Sequence, residues 1–394
     1  MNRNEIALKI EEMFPETIEW RRYLHERPEL SFEEHQTSQY IVDRLSEMDG
    51  LEISRPTKTS VIARLKGAFP GKTTALRADI DALPIHEETD LPFASQKEGV
   101  MHACAHDGHT ASLLGAAKVL TSMKEQLHGD ILFIFQHAEE LPPGGAQEMV
   151  AAGVLDGVDQ VLGLHLMSTL PLGTIGVRHD AITAASDLFE ITIQGKGGHS
   201  SQPEMTVDPL SIGAQMVSAL NHIVSRRVGP LESAVVSVTR FLGGGEALNV
   251  IPDRVEIGGS VRTLDQDVRE KVRNAIEQIM EGLAAANGAT ATLKYTYGYD
   301  SVVNDQHVTQ KVADTVATYI PEEAIEWIDP MLGGEDFSAF SNEVPSCYVM
   351  IGAKNEEKGI VHPHHHPKFD IDEAAMLAAL KFHVYCALTM NEEK

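Results

Sequence analysis

Four groups able to bind a metal or carry a proton crowd into eight positions: His102, Cys104, His106 and His109. His102, Cys104 and His106 sit two apart, so an extended backbone would send all three side chains to the same face. Neutral imidazole and thiolate are good donors to a borderline-soft divalent ion such as zinc. An apolar helical run, residues 110–123, follows at once, so the turn is expected to be anchored on a scaffold. Taken alone, the stretch fits a solvated histidine-rich turn around an inert buried cysteine equally well.

Further acids and histidines follow predicted strands. Residues 129–136 are a continuous apolar run of strand length, the pattern of a strand covered on both faces, and His137, Ala138, Glu139 and Glu140 come next. Residues 160–166 form a second run with His165 near its end, and residues 73–78 a third, followed by Asp79 and Asp81. Open α/β sheets place their sites beyond the carboxyl ends of the strands. Three strand ends of this kind, with the Cys104–His106 turn, therefore make a candidate site. A late tract holding His362, His364, His365 and His366 is expected to add a ligand. In extended backbone Glu139 and Glu140 would face opposite sides, so one could hold metal while the other meets substrate.

These groups need a scaffold, and the chain is long enough for two domains: 394 residues exceed what one core usually holds. Residues 1–185 and 298–394 alternate strands with helices, which predicts an α/β catalytic domain, a mostly parallel sheet with helices on both faces. Residues 186–297 follow a different plan, β-α-β-β-α-β, expected to be an inserted ferredoxin-like α+β domain. Its edge strand would be free to pair with another subunit.

Composition narrows the partners. A net charge of −26 argues against nucleic acid. Three cysteines, Cys104, Cys347 and Cys386, cannot build a disulfide framework and suit a reducing cytoplasm. Residues 1–14 read as a charged amphipathic helix, neither signal peptide nor membrane span. Gly243-Gly-Gly245 is no phosphate loop, because no Lys-Ser/Thr follows.

A series of motifs runs from Arg21-Arg-Tyr-Leu-His25-Glu-Arg-Pro28 through Arg77-Ala-Asp-Ile-Asp-Ala-Leu-Pro84, the 101–109 stretch and Ala138-Glu-Glu140. Gly163-Leu-His165, Gly197-Gly-His199, Leu248-Asn-Val-Ile-Pro-Asp253, Gly333-Gly-Glu-Asp-Phe337 and His365-His-Pro-Lys-Phe-Asp370 complete it. In this order the motifs resemble the dinuclear-metal aminoacylase and carboxypeptidase family, in the subgroup of hippurate hydrolases, N-acetylamino-acid deacetylases and auxin-conjugate amidohydrolases. The resemblance implies two divalent ions per subunit, Zn, Mn, Co or Ni, on Cys104, His106, Glu140, His165 and His365, with His366 as the fallback for the last. It implies Glu139 as general acid/base, and Asp79 and Asp81 beside the metals to orient ligands or water. It further implies that residues 186–297 serve for dimerisation and as a lid, that His199 steadies the oxyanion in a partner subunit's site, and that Asn249 and Arg262 hold a substrate carboxylate.

The expected enzyme is a cytoplasmic homodimer or higher homo-oligomer that cleaves N-acyl-amino acids, acetyl or hippurate-like. The alternatives are a dipeptidase or carboxypeptidase of the same chemistry, an amidase with Cys104 as nucleophile beside His106, and a non-catalytic binding module. Three positions depart from the family pattern: Ala105 stands for a usual Gly, His137 for Pro, and Gln202-Pro203-Glu204 for Met-Pro-His. His102 is expected to support the ligands from behind.

Overall fold

The computed structural model describes residues 3–321 and 324–392. The chain divides into two compact units. One comprises the chain up to Asp180, Val302–Asp329 and everything from Asp336 on; the other is Ala181–Ser301 with Pro330–Glu335.

In the first unit eight strands form one sheet, in the order Leu51–Ser54, Val61–Lys66, His128–Gln136, Phe69–Asp79, Gln160–Pro171, Ser346–Lys354, Ile175–Val177, Ile325–Trp327. The four central strands, from His128–Gln136 to Ser346–Lys354, run parallel. Antiparallel pairings flank them on both sides. The apolar runs of the sequence demand cover on both faces. Ile131, Phe133 and Phe135 pack in one core with Leu113 of helix His106–Thr121, Ile10 of helix Arg3–His25 and Leu380 of helix Ala374–Met390. On the opposite face Phe337 packs against Tyr348, ring centroids 4.8 Å apart. Gly163 lies under that pair: a Cβ there would meet the Tyr348 ring at 2.6 Å and the Phe337 ring at 2.8 Å, so no larger residue fits.

The N-terminal helix, expected over 1–14, runs Arg3–His25, past Pro15; Met1 and Asn2 lie outside the described residues. Its buried Ile6, Ile10, Met13, Thr17, Trp20 and Leu24 alternate steps of four and three, a single stripe facing the core. The parallel register sets the site. Asp79 pairs with Gln136, the last residues of their strands. Arg77 pairs with Gly163, which brings His165 to the same edge.

The second unit holds an antiparallel sheet ordered Ala234–Gly243, Arg254–Thr263, Ala185–Gln194, Thr290–Thr296. Helices Pro209–Arg227 and Gln266–Ala286 connect these strands as β-α-β-β-α-β. Asp208 and Asp265 cap them by accepting backbone N–H groups of the first turn. Phe189, Ile191 and Ile193 alternate toward the helices and meet Ile212, Met216, Val272 and Ile276. Glu190, Arg240, Arg254, Glu256 and Lys294 alternate the other way and form a web of ion pairs. A sheet with one oily and one wet face needs only one layer of helices.

Candidate metal centre

The 101–109 stretch is not extended, contrary to the two-residue spacing argument. Helix His106–Thr121 begins at His106, and its N-cap Ala105 adopts φ 67. That left-handed residue turns the chain, so Cys104 and His106 converge while His102 goes elsewhere. His102 is buried with neither ring nitrogen hydrogen-bonded, its ring 6.3 Å from that of His25. Glu139 and Glu140 likewise lie in a bend, not in extended backbone, after Ala138 at φ 52. A chain leaving a buried parallel strand must turn at once, and here alanine does what glycine usually does.

The ligand atoms of Cys104, His106 and His165 all lie within 4.8 Å of one another, and so do those of Cys104, Glu140 and His365. Cys104 belongs to both trios. Its Sγ is 3.4 Å from His165 Nε2. His365 Nε2 is 3.3 Å from Glu140 Oε1, and His106 Nε2 is 4.0 Å from the same oxygen. Glu139 forms another close group with His106 and Glu140. His365 arrives because its N–H donates to Ala103 O at 2.9 Å, with its own φ at 64. His366 instead stacks on His362 at 4.4 Å and accepts from Lys368 N. His364 is a packing residue, edge-on to His165 at 4.9 Å, accepting from Ser168 N.

Asp81 sits behind His106, and Asp79 Oδ2 lies 3.6 Å from His106 Nε2 on the other side of the ring. The His106 Nδ1 lies 2.9 Å from the Asp81 carbonyl and 3.2 Å from Asp81 Oδ1, which turns Nε2 toward Glu140. Asp79 takes Arg77 Nη1 at 2.7 Å and His109 Nδ1 at 2.6 Å. His109 Nε2 in turn accepts Leu166 N at 2.9 Å, beside His165. The sequence offered His109 only as one of a crowd. Its signal was the three-residue step from His106, which puts both on one helix face.

Charge follows from this packing. Burial alone would depress His106, but Asp79 and Asp81 outweigh it and push it up to about 10. Burial, with His109 and His364 nearby, holds His165 well below the usual range, leaving a neutral imidazole. Burial and then Glu140, Glu139 and Asp79 push the Cys104 thiol well up. A nucleophilic cysteine needs the opposite shift, so these surroundings disfavour the Cys104 nucleophile. A divalent cation among the same groups would favour the thiolate and offset the crowded carboxylates.

The residues fit such an ion. His106 Nε2 and Glu140 Oε1 are buried without a hydrogen bond, and leaving a buried polar atom unsatisfied costs about 1–3 kcal/mol. Both point into the trios, and sulfur, imidazole and carboxylate are a borderline divalent ion's preferred donors.

The other expected site residues lie in the second unit. The short strand Gly198–His199 pairs with Val250–Ile251, and Ser200 N donates to Asn249 O at 3.0 Å, so His199 and Asn249 are neighbours. His199 Nδ1 accepts Ser201 N at 3.1 Å, which leaves Nε2 to serve as a donor. Arg262 stands apart from them, on Arg254–Thr263, paired with Val235 and Ser186.

The family model described as peptidase family M20/M25/M40 matches residues 75–389. An N-acyl-L-amino acid amidohydrolase of Geobacillus stearothermophilus is 52% identical over 304 residues, 77% of this chain and 82% of its own. Thermostable carboxypeptidase 1 of Saccharolobus solfataricus is 39% identical over 383 residues, 95% of each. The crystal structure of YXEP from Bacillus subtilis, a dinuclear metal-binding peptidase of family M20, matches with a TM-score of 0.84 and 38% identity, covering 96% of this chain and 98% of that one. Sheet, donor set and relatives together define a metallo-amidohydrolase that uses divalent metal. The chain belongs to peptidase family M20/M25/M40.

Proposed function

We propose that the enzyme hydrolyses N-acyl-amino acids, releasing a carboxylic acid and a free amino acid. The observation that carries this is the pair of ligand trios sharing Cys104, with Glu139 close beside His106 and Glu140. Cys104, His106, Glu140, His165 and His365 would hold two divalent ions per subunit, Zn, Mn, Co or Ni. When bound, such ions lower the pKa of water to about 7 and polarise a carbonyl.

The protein's own groups do the rest. Glu139 takes a proton from the attacking water and returns it to the leaving nitrogen. Asp81 orients His106, and Asp79 holds the charge balance of His106, Arg77 and His109. His199 of a partner copy donates Nε2–H to the oxyanion, while Asn249 and Arg262 bind the substrate carboxylate. A homodimer is supported by the strand Ala234–Gly243, which ends its sheet and exposes Phe241 and Leu242. No helix among the described residues is long and apolar enough to cross a membrane; a cytoplasmic location is inferred from the cysteine content.

The Saccharolobus relative favours a carboxypeptidase as the second reading. A panel of N-acetyl, N-benzoyl and longer N-acyl amino acids beside dipeptides and blocked peptides, with each metal added in turn, decides. The highest kcat/KM is expected on an N-acyl-amino acid with a free carboxylate. A preference for peptides longer than two residues would overturn the proposal.

A further inference from the structure

The segment at residues 29–37 reaches the site from behind, and the mechanism above makes no use of it. Glu34 lies there, wholly buried at 0% exposure, just before helix His35–Ser46. Its Oε1 accepts two backbone N–H groups, Ala138 at 2.8 Å and Phe32 at 2.9 Å. Its Oε2 accepts Thr59 Oγ1 at 2.8 Å. Asp81 Oδ2 does the matching work two residues along the same loop, accepting Glu140 N at 3.0 Å and Ser31 Oγ at 2.6 Å. The amides on either side of Glu139 are thus each held by a buried carboxylate.

The rest of the loop is gripped as tightly. Ala138 O accepts Gly145 N at 3.0 Å. A Cβ on Gly145 would stand 2.0 Å from His137 O, so the approach needs glycine. Ala138 is left-handed at φ 52, a conformation that costs an L-residue about 1–2 kcal/mol and needs an outside restraint. Glu29 anchors the segment itself: its Oε2 accepts Thr37 N and Oγ1, and its carbonyl accepts Ala82 N at 2.8 Å. Burying a carboxylate is expensive unless donors satisfy it, and Glu34 has three donors, one of them the loop.

We propose that Glu34 is a positioning residue for Glu139: by holding the Ala138 amide while Asp81 holds that of Glu140, it fixes the direction in which the Glu139 carboxylate leaves the loop. The inference rests on Glu139 being the general acid/base. Burial and then Asp81 push the Glu34 carboxyl up to about 7, so the pocket accepts a neutral group of the same shape. What matters is the acceptor oxygen, which glutamine keeps and alanine lacks.

Three variants of the metal-loaded enzyme test this. Glu34→Ala is expected to lower kcat about 10–100-fold, the scale of a misplaced catalytic group, with KM changed less than about threefold. Its metal content, by elemental analysis, should match that of the wild type. Glu34→Gln should restore kcat to within about threefold of wild type, since its Oε1 still faces both amides. If Glu34→Ala does not fold, Glu34→Asp, one methylene too short to reach Ala138, carries the same expectation. A purely structural role would lower the unfolding temperature and leave kcat per folded molecule unchanged. That result overturns the proposal, as does a Glu34→Ala or Glu34→Asp enzyme that loses activity only in proportion to lost metal. Glu34→Gln falling as far as Glu34→Ala overturns it too. Glu139→Gln is run beside them: wild-type kcat there would sink the acid/base assignment itself, a failure separate from that of Glu34.

Discussion

Asp107, one residue past His106, balances two buried cations. Arg21 Nε lies 3.1 Å from its Oδ2 and His25 Nδ1 2.8 Å, and Arg21 and His25 are 1% and 0% exposed. His25 Nε2 also meets Glu87 at 3.3 Å. Burial depresses the His25 imidazole, but its bonds to Asp107 and Glu87 outweigh that and raise it from 6.5 to about 9. The fold therefore favours the protonated ring. That stabilisation is fully present below pH 6.5 and is lost as pH rises toward 9. The rise is worth about 3 kcal/mol. Removing one partner of a buried ion pair costs about 3–5 kcal/mol, an independent figure of the same size. Asp107→Asn should thus cost about 3 kcal/mol or more at pH 6, and distinctly less at pH 9.5, where most His25 rings are neutral even in the wild type. The assay is urea unfolding of metal-stripped wild type and variant at several pH values, read as the difference between them, so that linkage from other groups cancels. A difference that does not change with pH, or one below about 1 kcal/mol at pH 6, refutes this account of the hub.

Other perturbations address the chemistry. Chelation should abolish activity and a divalent ion should restore it; strong oxidant should also inactivate by attacking the Cys104 ligand, and full turnover in protein shown by elemental analysis to be metal-free would end the metal assignment. Glu139→Gln should keep metal while kcat falls about 10²–10⁴-fold, whereas Glu140→Gln should lose metal occupancy; equal metal content and equal kcat in the two would refute the division. Glu139→Gln and His199→Ala homodimers should each be nearly inactive. If His199 works in trans, purified heterodimers of the two regain one working site, and no gain over either parent would place His199 in cis.

Much of the scaffold was legible because burial writes itself into sequence. Residues 131–135 are apolar at every position since both faces of His128–Gln136 are covered there, and the predicted helix over 266–286 shows its buried Val268, Val272, Ala275, Ile276 and Met280 at helical spacing. Turn geometry was legible only in part. Ala105, Ala138 and His365 are left-handed; the sequence hinted at this only for Ala105, which stands where glycine is usual, and tertiary contacts such as Glu34 to Ala138 hold the conformation. His109 and Arg77 were missed as holders of Asp79 for a related reason. A buried polar side chain declares itself only through its partner, and Arg77 reaches as far as Asp336 along the chain. The motif named His365 with His366 as its fallback; in the structure the bond from His365 N to Ala103 O brings His365 beside Glu140, while His366 stacks on His362.

The strand Ser346–Lys354 lies inside the large sheet, between Gln160–Pro171 and Ile175–Val177, and this fixes an order of events during synthesis. The sheet and helices of the second unit come from one continuous stretch, 185–296, and can close as soon as that stretch leaves the ribosome. The large sheet has to wait with an open slot beside Gln160–Pro171 for some 175 more residues. Until then its apolar strands are exposed, and Cys104 and His106 have no His365 beside them. Folding during synthesis is therefore expected to close residues 185–296 before the large sheet, and His365 joins Cys104 and His106 only once nearly all of the chain has been translated.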